Sequence, residues 1–265
     1  ALDLGPCTGG ISGATGRAAP PVDSRSLPPV LLGKTGPWMC FSASASFAAA
    51  GITAAAGALA IASAKGSRYR LLAVAPIFFS LQQLAEGVLW RTFDGAAGVG
   101  WQAPAAYFFL IVANGVWPIW VPLAFRSCEA DRRRRGMLTV LLALGVIESI
   151  GQLWALAAHA PVASLVGRHI AYHIEPPWAG WRAVALLYPV VVVAPQLLSG
   201  NWMLRLIGVA VLLSLVVARI AYLEAAPSVW CFFAAIISGL VAVTVRVEAA
   251  RRPAPGHSLS PTPAG

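Results

Sequence analysis

The sequence predicts an all-α, polytopic integral membrane protein, a bundle of seven transmembrane helices. Of its 265 residues 58% are hydrophobic and only 11% charged, whereas a soluble domain carries about 45–50% apolar and about 25% charged residues. The mean hydropathy is +0.73. The basic residues then collect on alternate connections between the apolar runs, as a multi-pass chain requires. Length alone allows one or two soluble domains, but the apolar runs leave no room for one.

A membrane-crossing helix needs roughly 20 mostly apolar residues. The segments that meet or approach this are 43–64, 71–92, 103–125, 137–158, 183–198, 203–222 and 227–247. Pro118 and Pro122 bend the third. The fifth is the shortest and carries Pro189 and Pro195, which a membrane helix tolerates where neighbours re-satisfy the freed carbonyls. One set of connections and ends holds Lys65, Arg68, Arg70, Arg126, the run Arg132 to Arg135, Arg205, Arg246, Arg251 and Arg252. The other holds Arg91, Arg168 and Arg182, with Arg17, Arg25 and Lys34 in the N-terminal tail. The positive-inside rule makes the first set cytoplasmic, with the N-terminus outside and the C-terminus inside. Adding or removing one helix would spoil this asymmetry. The formal charge of +9 is therefore arginine that sets topology beside anionic lipid, and not a nucleic-acid surface, for which stacking aromatics would have to flank the run.

Residues 1–38 are rich in Gly, Pro, Ala and Ser without apolar periodicity and read as a disordered tail. Residues 251–265, with Pro253, Pro255, Pro261 and Pro263, read the same way. The transmembrane domain is 39–250. No basic start followed by a long apolar stretch marks a signal peptide in the tail. Met39 stands where membrane sequence begins, which makes it a candidate translation start and residues 1–38 a mis-assigned start or a cloning remnant.

Charged groups near mid-bilayer cost about 2.5–3.5 kcal/mol on insertion scales and usually face the bundle interior or a cavity. Gln82, Gln83 and Glu86 lie within about one turn of the second helix, and Glu148 and Gln152 repeat the i, i+4 arrangement in the fourth. The third helix contributes Asn114 and the sixth Arg219. Counting about 1.5 Å per residue from the helix ends, all lie between the midplane and the outer surface. This one-sidedness predicts a polar pocket opening outward, with Arg219 as the cation deep enough to neutralise Glu86 or Glu148. The competing reading is helix-to-helix packing, since interhelical hydrogen bonds are common in bundles.

Cys40, before the first helix, and Cys231, about one turn into the seventh, both fall near the outer surface, where a disulfide or thiol pair is permitted. Two unrelated small apolar residues are the alternative. The longest outer connection carries His169, His173 and Glu175. The two histidines share a face if the stretch is a short helix stopped by Pro176 and Pro177, which makes the three a candidate metal site. An interfacial amphipathic segment with Tyr172, Trp178 and Trp181 in the aromatic belt competes with it. No lysine follows Lys65, so a retinal Schiff base is excluded.

The run Met39-Cys40-Phe41-Ser42-Ala43, followed by Ala45-Ser46-Phe47, resembles the start of a family of uncharacterised bacterial membrane proteins beginning MCFSA-x-ASF. Gln82-Gln83 with Glu86-Gly87 and Trp90, Trp117-Pro118 with Val121-Pro122, His169-Ile170 with Tyr172, and Ser228 to Ala235 (SVWCFFAA) carry the resemblance onward to about Val247. It implies a multi-pass protein of the bacterial inner membrane and assigns no activity. If translation starts at Met39, its removal leaves Cys40 as an N-terminal cysteine.

The leading expectation is a non-enzymatic protein whose outward pocket binds a small ligand or metal ion, as in a sensor, receptor or transporter. The alternatives are a structural or assembly subunit of a membrane complex, and a membrane-embedded enzyme using Cys40 as a thiol or a His-bound metal. The partners expected are the lipid bilayer and that ligand, with no nucleic acid.

Overall fold

The computed structural model describes residues 42–166, 169–174, 181, 186–221 and 226–251, and the side chains of these except at 219, 221 and 226–232. Helix α1 spans Ala43–Ser63 and is started by Ser42, whose hydroxyl accepts from the Ala45 amide at 3.2 Å. Its buried residues Ser46, Ala49, Ala50, Thr53, Gly57 and Ala60 are all small and repeat at helical spacing. Such a stripe lets helix backbones close up in a membrane. α2 (Arg70–Phe93) lies on it, and Ser80 Oγ donates to the Ala50 carbonyl at 2.9 Å.

The third predicted span is a continuous helical segment of mixed pitch. A 3₁₀ turn at Val99–Trp101 leads into α3 (Gln102–Leu110), a π-helical stretch at Ile111–Val116 and α4 (Trp117–Cys128). The Trp117 amide reaches back to Val112, an i→i−5 bond that accommodates one extra residue. α5 (Arg132–Ala158) follows, capped by Asp131, whose carboxylate accepts from the Arg134 amide at 2.8 Å.

The connection after α5 departs from the expected helix. Val162–Val166 (β1) and His169–His173 (β2) form an antiparallel pair, with Val166 opposite His169 and Val162 opposite His173. Ile170 and Ala171 are fully buried, and the Tyr172 ring stacks on Phe109 at 4.7 Å between centroids. The hairpin therefore covers one end of the bundle. Gln102 Nε2 ties to it, donating to the Ala163 carbonyl at 3.2 Å.

α6 (Leu187–Leu197), α7 (Trp202–Ala221) and α8 (Ala226–Ala250) complete the chain. Among the described residues, five helical segments are long and apolar enough to cross a membrane, at 43–63, 70–93, 99–128, 132–158 and 233–250, while Leu187–Leu197 is a shorter apolar helix. At about 1.5 Å per residue, α6 covers roughly half of a hydrocarbon core of about 30 Å. The predicted spans 43–64 to 227–247 thus all contain helix, and the sixth, Trp202–Ala221, matches its predicted length.

At the end opposite the hairpin, the connections at 64–69, 129–131 and 198–201 meet the C-terminal end of α8. Tyr69 Oη donates to Glu248 at 3.0 Å, Ser127 Oγ to the Arg68 carbonyl at 3.0 Å, and the Gly200 amide to Glu129 at 2.8 Å. This is the arginine end.

The core is largely apolar, but the exterior is apolar too. Ile52, Leu59, Val140, Ile147, Ile150, Leu213 and Ile220 are exposed, whereas Gln82, Gln83, Glu86 and Glu148 are at most 2% exposed. An apolar belt of this extent, around an apolar core that also encloses these polar groups, belongs in lipid.

Candidate functional site

The predicted polar residues fall into two clusters on different helices. On α2, both polar atoms of Gln82 are engaged: its Oε1 accepts from Trp117 Nε1 at 2.7 Å and its Nε2 donates to the Phe109 carbonyl at 3.4 Å. Phe109 precedes the π stretch, where the altered pitch frees carbonyls from the regular ladder. Gln82 therefore clamps an irregular neighbour. Gln83 Nε2 donates to Glu86 Oε2 at 3.5 Å one turn on.

On α5, Gln152 Nε2 donates to Glu148 Oε1 at 2.6 Å. Glu148 is fully buried, and its Oε2 has no hydrogen-bond partner among the described residues. Next to it, Ser149 Oγ donates to the Gly115 carbonyl of the π stretch at 2.7 Å. Asn114 sits half-buried on the same stretch. The mixed-pitch segment is thus gripped from both sides, by Gln82 of α2 and Ser149 of α5.

Glycine sets how close this grip is. A Cβ on Gly145 would collide with the Pro118 carbonyl oxygen, and one on Gly115 would stand 2.9 Å from Leu153. Pro122 has no amide to offer Pro118 O at i+4, so the backbone of α5 covers a carbonyl that α4 leaves bare.

The histidines are not brought together. In β2, His169 and His173 are four strand residues apart, about 13 Å, where a helix would have stacked them one turn apart. This corrects the expected helical face. Burial pushes the His169 imidazole below its ordinary pKa, towards the neutral form. Among the described residues no group of three His, Cys, Asp or Glu side chains is placed to hold a metal ion. Glu175, Cys40 and the side chains of Arg219 and Cys231 lie outside the described residues, so the ion pair with Arg219 and the thiol pair do too. Cys128, buried at the arginine end, is a free thiol.

A cavity of about 570 Å³ opens at the arginine end, between the connections named above. None of Gln82, Gln83, Glu86, Asn114, Glu148 and Gln152 lines it. Its wall includes Arg68, Glu129, Arg134, Asn201, Arg205 and Glu248. Glu129, 8% exposed, accepts from the amides of Ala130 (3.0 Å), Asp131 (3.1 Å) and Gly200 (2.8 Å).

The model of a family of unknown function, DUF6629, matches residues 39–258. The chain belongs to that family. The match takes in every described helix and strand and begins at the Met39-Cys40 run. No curated protein and no solved structure matches the chain.

In this DUF6629 member the sequence reading missed the wall of the cavity. Glu129 and Asp131 were visible as acids beside a basic run, and Gly200-Asn201 as a break before α7. Their convergence was not, because the partners lie 71 residues apart for Glu129 and Gly200, and 179 for Tyr69 and Glu248.

Burial pushes the Glu129 carboxyl up, but the amides of Gly200, Asp131 and Ala130 and the nearby Arg134 outweigh it and hold the group below its ordinary value of 4.5. A depressed carboxyl stabilises the fold above its unfolded value, and that contribution fades as pH falls towards the lower native one. Melting of wild type and Glu129→Gln in detergent should therefore differ at neutral pH and converge progressively below about pH 4.5. A gap independent of pH would show that the charge contributes nothing.

Proposed function

We propose that the chain is a seven-crossing protein of the bacterial inner membrane, arginine end in the cytoplasm, whose interior carboxyl layer binds a small ligand reached from the hairpin end. The positive-inside rule supports the orientation, through Arg68, Arg126, Arg132 to Arg135, Arg205 and Arg251. The observation that carries the ligand reading is Glu148, fully buried with one oxygen on Gln152 and the other without a hydrogen-bond partner among the described residues. An ionisable group inside a membrane bundle is expensive and is a functional-site candidate by default. Gln152 and Gln83 prepare the two carboxyls as acceptors, which favours a ligand that is cationic or rich in hydrogen-bond donors. A sensor, receptor or transporter would use such a site.

Gln82 and Ser149 favour a packing role for their own positions, since their described bonds all go to neighbouring helices. The ligand reading therefore rests on Glu148 and Glu86. Purified protein would be melted with a panel of small amines and divalent metal chlorides. At least one should raise the melting temperature of wild type, with the gain lost in Glu148→Gln or Glu86→Gln. A panel that shifts wild type and both variants equally, or none of them, would remove the reading.

A further inference from the structure

We propose that the cavity at the arginine end is a binding site for a phosphate-bearing anion. The distribution of donors and acceptors around it leads to this assignment. Its acids are already engaged: the Glu129 carboxylate accepts three backbone amides, Asp131 caps α5 through the Arg134 amide, and Glu248 accepts from Tyr69 Oη at 3.0 Å and from Arg251 at 2.9 Å. Those carboxylates leave little capacity for a cation.

The guanidiniums are in the opposite state. Each carries five N–H groups. Arg68 directs one at Tyr69 Oη (3.4 Å), Arg205 directs one at the Ser199 carbonyl (3.4 Å), and the Arg134 side chain makes no hydrogen bond among the described residues. Gly200 gives Arg134 its place, since a Cβ there would stand 2.7 Å from the guanidinium nitrogen. Among the described residues the wall thus presents charged N–H donors from three separate parts of the chain that hydrogen bonds leave mostly unused, although the Arg134 charge also bears on Glu129; such a set matches phosphate oxygens, which guanidinium forks engage in pairs.

Size and setting agree. A volume of about 570 Å³ lies within the range of about 300–1,000 Å³ usual for small-molecule sites. The surrounding Arg70, Arg126, Arg132, Arg133 and Arg135 would draw anions to the same end. Basic pockets between transmembrane helices take up phospholipid headgroups, and the same donors would accept free phosphate. The chemistry is shared and the source is decided by experiment. This site is independent of the Glu148 reading, which concerns the other half of the bundle.

The test uses the full chain in nanodiscs of phosphatidylcholine alone, read by melting temperature. One arm dopes the discs with phosphatidylglycerol, and the other adds inorganic phosphate to undoped discs. A saturable rise with phosphatidylglycerol alone identifies a lipid headgroup, and a rise with phosphate identifies a soluble anion. Either supports the site, provided that Arg134→Gln weakens the apparent affinity about tenfold while the off-cavity pair Arg132→Gln and Arg133→Gln leaves it within about twofold. Arg205→Gln is the second variant should Arg134→Gln fail to fold. No rise with either anion, or equal weakening by the off-cavity pair, overturns the proposal, the latter because diffuse surface charge would then account for the effect.

Discussion

Gly145→Ala is expected to destabilise the protein by about 3 kcal/mol, the upper part of the range for overpacked interiors. The added methyl would collide with the Pro118 carbonyl oxygen, and what it meets is backbone, which cannot rotate aside. Relief requires α5 to move away from α4. That movement would also stretch the Ser149 to Gly115 bond of 2.7 Å and open the seam beside Glu148. Gly51→Ala is the control: it lies in α1 with nothing within 4 Å of its Cβ and should melt within about 1 kcal/mol of wild type. Thermal unfolding of both in the same detergent checks the pair. If Gly145→Ala melts with Gly51→Ala, the two helices are not in backbone contact.

Hydropathy made the spans legible because each apolar run must hide its own backbone in lipid. The polar groups Gln82, Gln83, Glu86, Glu148 and Gln152 were legible as interior for the same reason, and all five are buried. The hairpin was not. His169-Ile170-Ala171-Tyr172-His173 fits helical i, i+4 spacing and strand alternation equally well over so short a stretch, and Pro176-Pro177 favoured the reading of a stopped helix. The decision is made by packing: Ile170 is fully buried and Tyr172 meets Phe109 across the end of the bundle, contacts no local pattern encodes. The mixed pitch of the third segment was half legible. Pro118 and Pro122 announced a bend, but the π stretch just before them depends on Gln82 and Ser149, which donate from neighbouring helices to the carbonyls of Phe109 and Gly115. The cavity was illegible for a related reason. Arginines that set topology and arginines that line a site have the same signature in sequence, and only the closure of distant connections separates them.

The same dependence sets the outcome of Gln82→Leu. Two bonds are lost at once, from Trp117 Nε1 at 2.7 Å and to the Phe109 carbonyl at 3.4 Å. In a soluble core, one buried partner left unsatisfied costs about 1–3 kcal/mol. In bundles, interhelical hydrogen bonds average only about 0.6 kcal/mol, with a maximum near 1.7, because the separated helices also find partners. The membrane scale applies here. With one short bond to an indole and one long bond to a carbonyl, Gln82→Leu should cost about 1.5 kcal/mol, near the top of that scale. Trp117→Phe removes the indole donor and part of a ring packed at 4.3 Å from Phe79 and 5.9 Å from Phe78, so it carries a packing loss of its own. The double variant isolates the bond: its cost should fall short of the sum of the single costs by about 0.5–1 kcal/mol. Strict additivity would mean that the indole and the carboxamide do not meet, and Gln82 would then be released to the neighbouring Glu86 as part of the ligand layer.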